Sequence, residues 1–482
     1  MSTGRFASLA PLRHRDYRLI WFAALVSSLG TWLQTVAVGV LIADLTGQAG
    51  WTGLVGAAAF LPIGLLSPVG GAMADRTDLR KWLVLTTVGE VVFAVALAVL
   101  TGTGHINAPL LTLIVLGGGC MAALGLPAFQ AILPDLVPRE QLLAASSLGL
   151  MQYNLGRVVG PALAGVVLAV GSYTWAFALN AASFATVLAA VVAVRLPRPA
   201  PLKEEGGLWA RIRTGARAAM AEPGCRLAIL SISVVAFLLS PFIALVPAVA
   251  LKLFDNAETG TSLLITGQGI GAVAGALALA SLAARYGRRR VLVVDSVVLA
   301  ALLIAYAAAP NLAVAVVLIV FVGAAYVGVL SGLGTVVQLR APVALRARVL
   351  SLYMVALGVI YPIGAIVQGF LGDRLGIRTV TAGGAALFLA LVVVLRAVRP
   401  RLAEDLDDPV DDATVAAAGP AVAAGPVAAA GPVVDEATVA VAAGPVVDEA
   451  TAVAAGPVAP VTPAVAAGPA VSAGPASEVA TG

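Results

Sequence analysis

The chain has 482 residues, of which 60% are hydrophobic and only 11% charged, with a mean hydropathy of +1.00 and a formal charge of +4. Soluble globular chains carry about 45–50% apolar and about 25% charged residues, so no water-soluble fold of this length hides the surplus. The bilayer is the solvent this composition calls for.

Apolar runs succeed one another from Tyr17 to Val398. A helix needs about 20 mostly apolar residues to cross the hydrocarbon. In lipid only helices and closed barrels satisfy their own backbone, and these runs lack the alternation of barrel strands. The predicted spans are 17–44, 51–74, 82–101, 108–133, 142–170, 174–194, 227–251, 259–284, 291–309, 311–336, 345–372 and 379–398. The first follows Arg13, Arg15 and Arg18 and is too long for a signal-peptide core, so it reads as a span.

The fold class is therefore all-α integral membrane: twelve transmembrane helices in two pseudo-symmetric six-helix bundles, with a disordered C-terminal tail. Residues 1–16 form an N-terminal arm, 17–195 the first bundle, 196–226 a central loop, 227–400 the second bundle and 401–482 the tail. Within the central loop, GLWARIRTGARAAM (207–220) sets Trp209, Ile212, Ala216 and Met220 on one helical face and Arg213 and Arg217 on another. That pattern predicts a short interfacial helix tying the halves together. After Arg401 there is no Lys or Arg, but there are eleven acids between Glu404 and Glu478 and a recurring AAGP repeat, a composition that predicts disorder.

Basic residues accumulate in cytoplasmic loops. With the N-terminus inside, 25 of the 29 Lys and Arg fall on the inner side; Lys252, Arg374 and Arg378 fall outside and Arg157 lies within a span. Both termini are thus expected in the cytoplasm of a cell in whose inner or plasma membrane the chain sits. Trp21 and Trp82 then mark the inner interface, and Trp51 and Trp175 the outer one.

The remaining chemistry is sparse. His14, His105, Cys120 and Cys225 form no ligand-like group, and no phosphate-binding G-x-x-x-x-G-K-[ST] loop occurs, so no metal, no cofactor and no built-in ATPase are expected. No nucleophile or acid–base constellation points to an enzyme. Three charges lie within spans: Arg157 midway along the fifth, Glu90 in the third and Asp295 in the ninth. Each costs about 2.5 kcal/mol or more at a helix centre unless it faces a cavity or a partner. They are the candidates for substrate binding and proton coupling, set against pairing with local Arg or Lys for the two acids.

The halves resemble each other. DRTDLRK (75–81) and RYGRRR (285–290) each follow the second helix of a half, and LGRVVGPALAG (155–165) and LGVIYPIGAIVQG (357–369) are the two fifth helices, rich in Gly and Pro. Such a repeat is a transporter architecture with its site between the halves. Together with DLTG (44–47), GGAMADRTDLRK (70–81) and PAFQAILPDLVPREQL (127–142), these segments resemble the major facilitator superfamily, in particular the twelve-helix drug-efflux branch that holds macrolide and enterobactin exporters.

The resemblance implies a latch of Gly71, Asp75, Arg76 and Arg80, with Asp75 meeting the N-terminus of the eleventh helix near Val343 to Arg346. It implies an antiporter-like stretch of Gly156, Gly160, Pro161 and Gly165, and cavity-wall roles for Trp32, Gln34 and Gln130. It implies, further, a monomeric carrier of a small, largely apolar molecule, a drug, antibiotic or siderophore-like metabolite, exported by alternating access at the expense of the proton gradient, with the lipid bilayer but no nucleic acid as partner. An importer on the same fold, or a scaffold recruiting partners through the acidic tail, are the alternatives.

Overall fold

Long uninterrupted apolar runs become long helices, because in each the backbone closes its own hydrogen bonds and no side chain offers it a better partner. The computed structural model describes residues 7–132, 134–195, 208–399 and 406. After a 3-10 turn (Ala7–Arg13) come α1 (Arg15–Thr46), α2 (Ala49–Arg76), α3 (Leu79–Gly102), α4 (Ala108–Ile132), α5 (Leu142–Val170) and α6 (Tyr173–Ala193). Then follow α7 (Leu208–Ala221), α8 (Pro223–Leu238), α9 (Phe242–Phe254), α10 (Ala257–Tyr286), α11 (Arg288–Ala307), α12 (Leu312–Arg340), α13 (Arg346–Leu375) and α14 (Ile377–Val398). Twelve helical stretches are long and apolar enough to cross a membrane, with α8 and α9 together forming the seventh. Apart from Leu406, the tail predicted to be disordered lies outside the described residues.

The seventh span departs from the single helix expected. Pro241 has no N–H to give, and the Ser240 and Leu239 amides both turn back to the Val235 carbonyl, so the helix stops and restarts at Phe242. By contrast Pro161 and Pro362 sit inside the unbroken α5 and α13. The predicted interfacial helix is α7, whose Gly215 lies against the Arg348 backbone at the start of α13.

Both bundles repeat one scheme. The second helix packs on the fourth (α2 on α4, α10 on α12), the third on the fourth and sixth (α3 on α4 and α6, α11 on α12 and α14), and the first on the fifth (α1 on α5, α8 on α13). Close approach is made by small residues, as membrane helix packing requires. At Gly160 a Cβ would lie 2.4 Å from the Trp32 Cβ, and at Gly156 2.6 Å from the Ser28 Cβ, so α1 seats directly on α5. Gly160→Val is therefore expected to destabilise the first bundle by about 1–3 kcal/mol, the usual cost of overpacking. Thermal unfolding of the purified variant in detergent checks this; an unchanged melting temperature would refute the contact.

Trp21, expected near the inner interface, is turned into the bundle rather than out to a surface. It is only 7% exposed and its indole N–H donates to the Leu148 carbonyl at 2.9 Å, while the Tyr17 hydroxyl donates to the Ala145 carbonyl at 2.8 Å. Together they fasten α1 to α5 inside the bundle. Trp175, 63% exposed, remains at a surface.

Candidate substrate pathway and gates

The two halves meet along two seams related by the internal repeat, α2 on α13 and α5 on α10. The end at which α1 begins and α14 stops is called here the near end, and its opposite the far end. On α2 the residues turned to the second half recur at helical spacing. Gly50 meets Phe370, Gly53 meets the Ala365 carbonyl, Gly56 meets Ala244, Phe60 stacks edge-on against Tyr361 at 5.9 Å, and Gly64 crosses Gly358. At that last point a Cβ on either glycine would come within 2.9 Å of the other's backbone.

Beyond Gly64 the contacts stop. Leu65, Val69 and Met73 on α2 are exposed, and the close glycine approaches, the Phe60–Tyr361 ring contact and the hydrogen bonds of Asp373 to α2 all lie between this crossing and the far end. On the other seam, Gly165 of α5 meets Ser262 and the Arg157 stem meets Gly269, again from the middle outward. The halves are thus closed at the far end and parted at the near end.

At the far end the seam is also clasped by one carboxylate. Asp373, in the last turn of α13, accepts the Ala49 N–H at 2.8 Å, the Gly50 N–H at 2.7 Å and the Lys252 ammonium at 2.6 Å. Gln48, the cap position of α2, gives its helix no side-chain bond, so the cap comes from the other half of the molecule. An anion at a helix N-terminus is favoured both by the orphan N–H groups and by the helix dipole.

The residues expected to latch the near end are disengaged in this conformation. Asp75 and Arg76 are exposed and pair with no described residue, and the Arg80 guanidinium donates instead to the Val194 carbonyl just past α6. The reason is geometric, since the near ends of α2 and α13 stand apart. Gly71 makes only an ordinary 3.7 Å approach to Pro127; the tight contact of α2 on α4 falls one residue earlier, at Gly70, whose Cβ would lie 2.5 Å from the Leu124 carbonyl.

Of the antiporter-like stretch, Gly156 and Gly160 serve α1 within the first bundle and Gly165 serves the seam to α10. Pro161 is buried between them. The wall candidates divide. Gln34 is turned away from the seams and accepts the Asn180 amide at 2.8 Å, inside the first bundle. Trp32 is buried against α5, edge-on to Tyr153 at 6.2 Å. Gln130 is half-buried near the end of α4, with no hydrogen bond to a described residue.

The intramembrane charges divide as well. Glu90 lies on the stripe of α3 that carries the buried Thr86, Ala94 and Leu97. Asp295 points into the α11–α12 seam, where a Cβ on Gly328 would strike its carboxylate at 2.1 Å. Neither acid pairs with an Arg or Lys among the described residues, so the local pairing weighed for them is not made. Arg157 is 1% exposed at the middle of α5, on the seam to α10.

Around this level stand Tyr153, Tyr326 and Tyr361, with Phe60 on Tyr361 and Phe242 edge-on to Tyr326 at 5.6 Å. The Tyr326 hydroxyl donates to Ser240 at the break in the seventh span, at 3.0 Å. The break thus places the Ser240 hydroxyl against Tyr326 near the middle of the molecule. Sequence reading missed Asp373, Lys252, the Gly64–Gly358 crossing and the Ser240 break. A signal existed for the first two, which are among the few charges at the far ends of spans.

Two six-span bundles joined by two repeat-related seams, closed at one end and parted at the other, define a membrane carrier. The family model described as transmembrane secretion effector matches residues 6–434, and the chain belongs to that family of the major facilitator superfamily. It is similar to the enterobactin exporter EntS of Salmonella choleraesuis, 33% identical over 196 residues, which is 40% of this chain and 46% of the exporter. The corresponding exporter of Citrobacter koseri is 34% identical over 198 residues, again 40% of this chain and 46% of that protein. The chain thus spans less than half the length of these curated relatives.

Among solved structures, the nucleoside transporter NupG superposes with a TM-score of 0.65 at 14% identity, covering 80% of this chain and 98% of that one. A bacterial homologue of the human lysosomal transporter Spinster, in an inward-facing and unoccupied conformation, superposes with a TM-score of 0.63 at 14% identity, covering 85% of this chain and all of the other. At such identities the likeness is one of fold.

Proposed function

We propose that the protein exports a small, largely apolar compound by alternating access, driven by exchange for protons. It acts as a monomer in the cell membrane with both termini in the cytoplasm, and needs no cofactor. The observation that carries this is the register of the α2–α13 seam. Gly50 meets Phe370, Phe60 meets Tyr361 and Gly64 meets Gly358. Continued along the same antiparallel pair, that register brings Asp75 to the first turn of α13. The side chain of Leu345, in the cap position there, makes no capping hydrogen bond.

The two helices therefore carry the same device at both ends, a carboxylate at the C-terminal end of one facing the uncapped N-terminus of the other. Asp373 grips α2 when the far end is closed, and Asp75 grips α13 when the near end is closed. The Gly64–Gly358 crossing stays in place between them. Protonating either aspartate removes the charge that holds its end. That ties gate position to the proton gradient, and the similarity to enterobactin exporters supports outward transport of the organic cargo.

The test is proton flux in inverted membrane vesicles acidified by respiration and challenged with a panel of lipophilic drugs and siderophores. Antiport predicts substrate-triggered proton release, reduced about tenfold or more by Asp75→Asn, a loss equivalent to at least about 1.4 kcal/mol of gating free energy. Labelled compounds that equilibrate across the membrane without moving protons would replace this reading with facilitated diffusion.

A further inference from the structure

We infer that Arg157 is the docking point for an anionic group on the transported compound; this names the substrate class and rests on the reading of the chain as a carrier. The guanidinium is buried, and its Nε, Nη1 and Nη2 all lack a hydrogen-bond partner among the described residues. A charge in that condition is expensive unless something compensates it.

Among the described residues none supplies the compensation. α5 contains no acid at all, nor does α12. On α10 the only acid is Glu258, eleven residues from the Gly269 that touches Arg157, or about 16 Å along the helix. On α1 the acids are Asp16 and Asp44, each twelve or more residues from the Ser28-to-Trp32 stretch that seats on α5. On α2 and α13 they are Asp75 and Asp373, one at each gate. Two phenols, Tyr153 and Tyr326, stand within electrostatic reach of the guanidinium.

The cation also stands on the seam between the two halves. It is midway along α5, its stem against α10 of the other half, so whatever binds it contacts both bundles. Its surroundings are aromatic: Trp32 packs on Tyr153, Phe242 on Tyr326 and Phe60 on Tyr361, and the Tyr361 hydroxyl has no hydrogen-bond partner among the described residues. One fixed cation with spare donors among aromatic rings selects a compound with an apolar or aromatic body and a single carboxylate or comparable oxyanion. A neutral compound leaves the guanidinium unpaired.

The experiment is thermal unfolding of the purified full chain with benzoate, with its neutral counterpart benzamide, and with chloride, at fixed ionic strength. Benzoate should raise the melting temperature and benzamide and chloride should not. Arg157→Met should abolish the benzoate effect and raise the ligand-free melting temperature, because it removes an uncompensated buried charge. Arg157→Lys should retain part of the benzoate response. Equal protection by benzoate and benzamide, equal protection by chloride, or a ligand-free Arg157→Met protein less stable than the wild type each overturns the proposal, the last by making the arginine a structural strut. These readouts need no transport, so a failure here is distinct from an absence of proton flux in vesicles.

Discussion

Asp373→Asn should release the far end of the molecule. The carboxylate accepts two backbone N–H groups from the start of α2 and the Lys252 ammonium, at 2.6 to 2.8 Å. Bonds to a charged acceptor contribute about 1.5–3 kcal/mol each when buried, but this clasp sits at a solvent-exposed rim, where ion pairs contribute about 1 kcal/mol or less. A net loss of about 2 kcal/mol is the reasonable expectation, which shifts the closed-to-open ratio at that end by roughly 30-fold. Asparagine has nearly the same shape but one accepting oxygen and no charge, and its amide nitrogen repels the lysine it faces.

Pulsed electron-spin distances between labels at Gln48 and Thr379, exposed positions at the far ends of the two halves, measure the separation directly. Cys120 and Cys225 are both free and are replaced by serine first. The wild type should give one short distance and Asp373→Asn a substantial longer population. An unchanged distribution would mean that the apolar seam from Gly53 to Gly64 holds the far end without the clasp.

Why Asp373 was not legible while Arg157 was is a matter of what each charge costs. Arg157 lies in the middle of an apolar run, so its expense is visible from the sequence alone. Asp373 and Lys252 stand at span ends, where charges are commonplace, and only the packing of α2 against α13 brings a carboxylate to an uncapped helix. The twelve spans were legible because apolar length is the signal itself. The break at Pro241 was not, since Pro62, Pro68, Pro127, Pro161 and Pro362 lie within helices that continue through them. The difference at Pro241 lies partly in a partner remote in sequence, the Tyr326 hydroxyl that engages Ser240. Facing was the least legible property. Gln34 looks like a wall residue on an apolar helix, and only the position of Asn180 turns it inward.

Gly64→Val should cripple transport without favouring either end. At this crossing a Cβ on residue 64 would lie 2.8 Å from the Gly358 carbonyl carbon and 2.9 Å from its oxygen, and one on residue 358 would lie 2.9 Å from the Gly64 Cα. The obstacle on both sides is backbone, so no side chain can swing aside and α2 and α13 must separate. Overpacking of this kind costs about 1–3 kcal/mol. The crossing is the last contact before the near-end gap, so the proposed rocking of the halves turns about it. A wedge there strains the closed far end and the closed near end alike. Initial transport rates should fall about tenfold or more in Gly64→Val and in Gly358→Val, and less in Gly64→Ala. The two valines address one contact, so the double variant should lose less than the sum of the single losses. Spin-label distances at Gln48 and Thr379 separate this from the clasp: the wedge should broaden the distribution about its wild-type centre, whereas Asp373→Asn adds a distinct longer distance. A valine variant that transports at the wild-type rate would show that the helices do not pivot at this point, and would move the fulcrum to the other seam, where Arg157 meets Gly269.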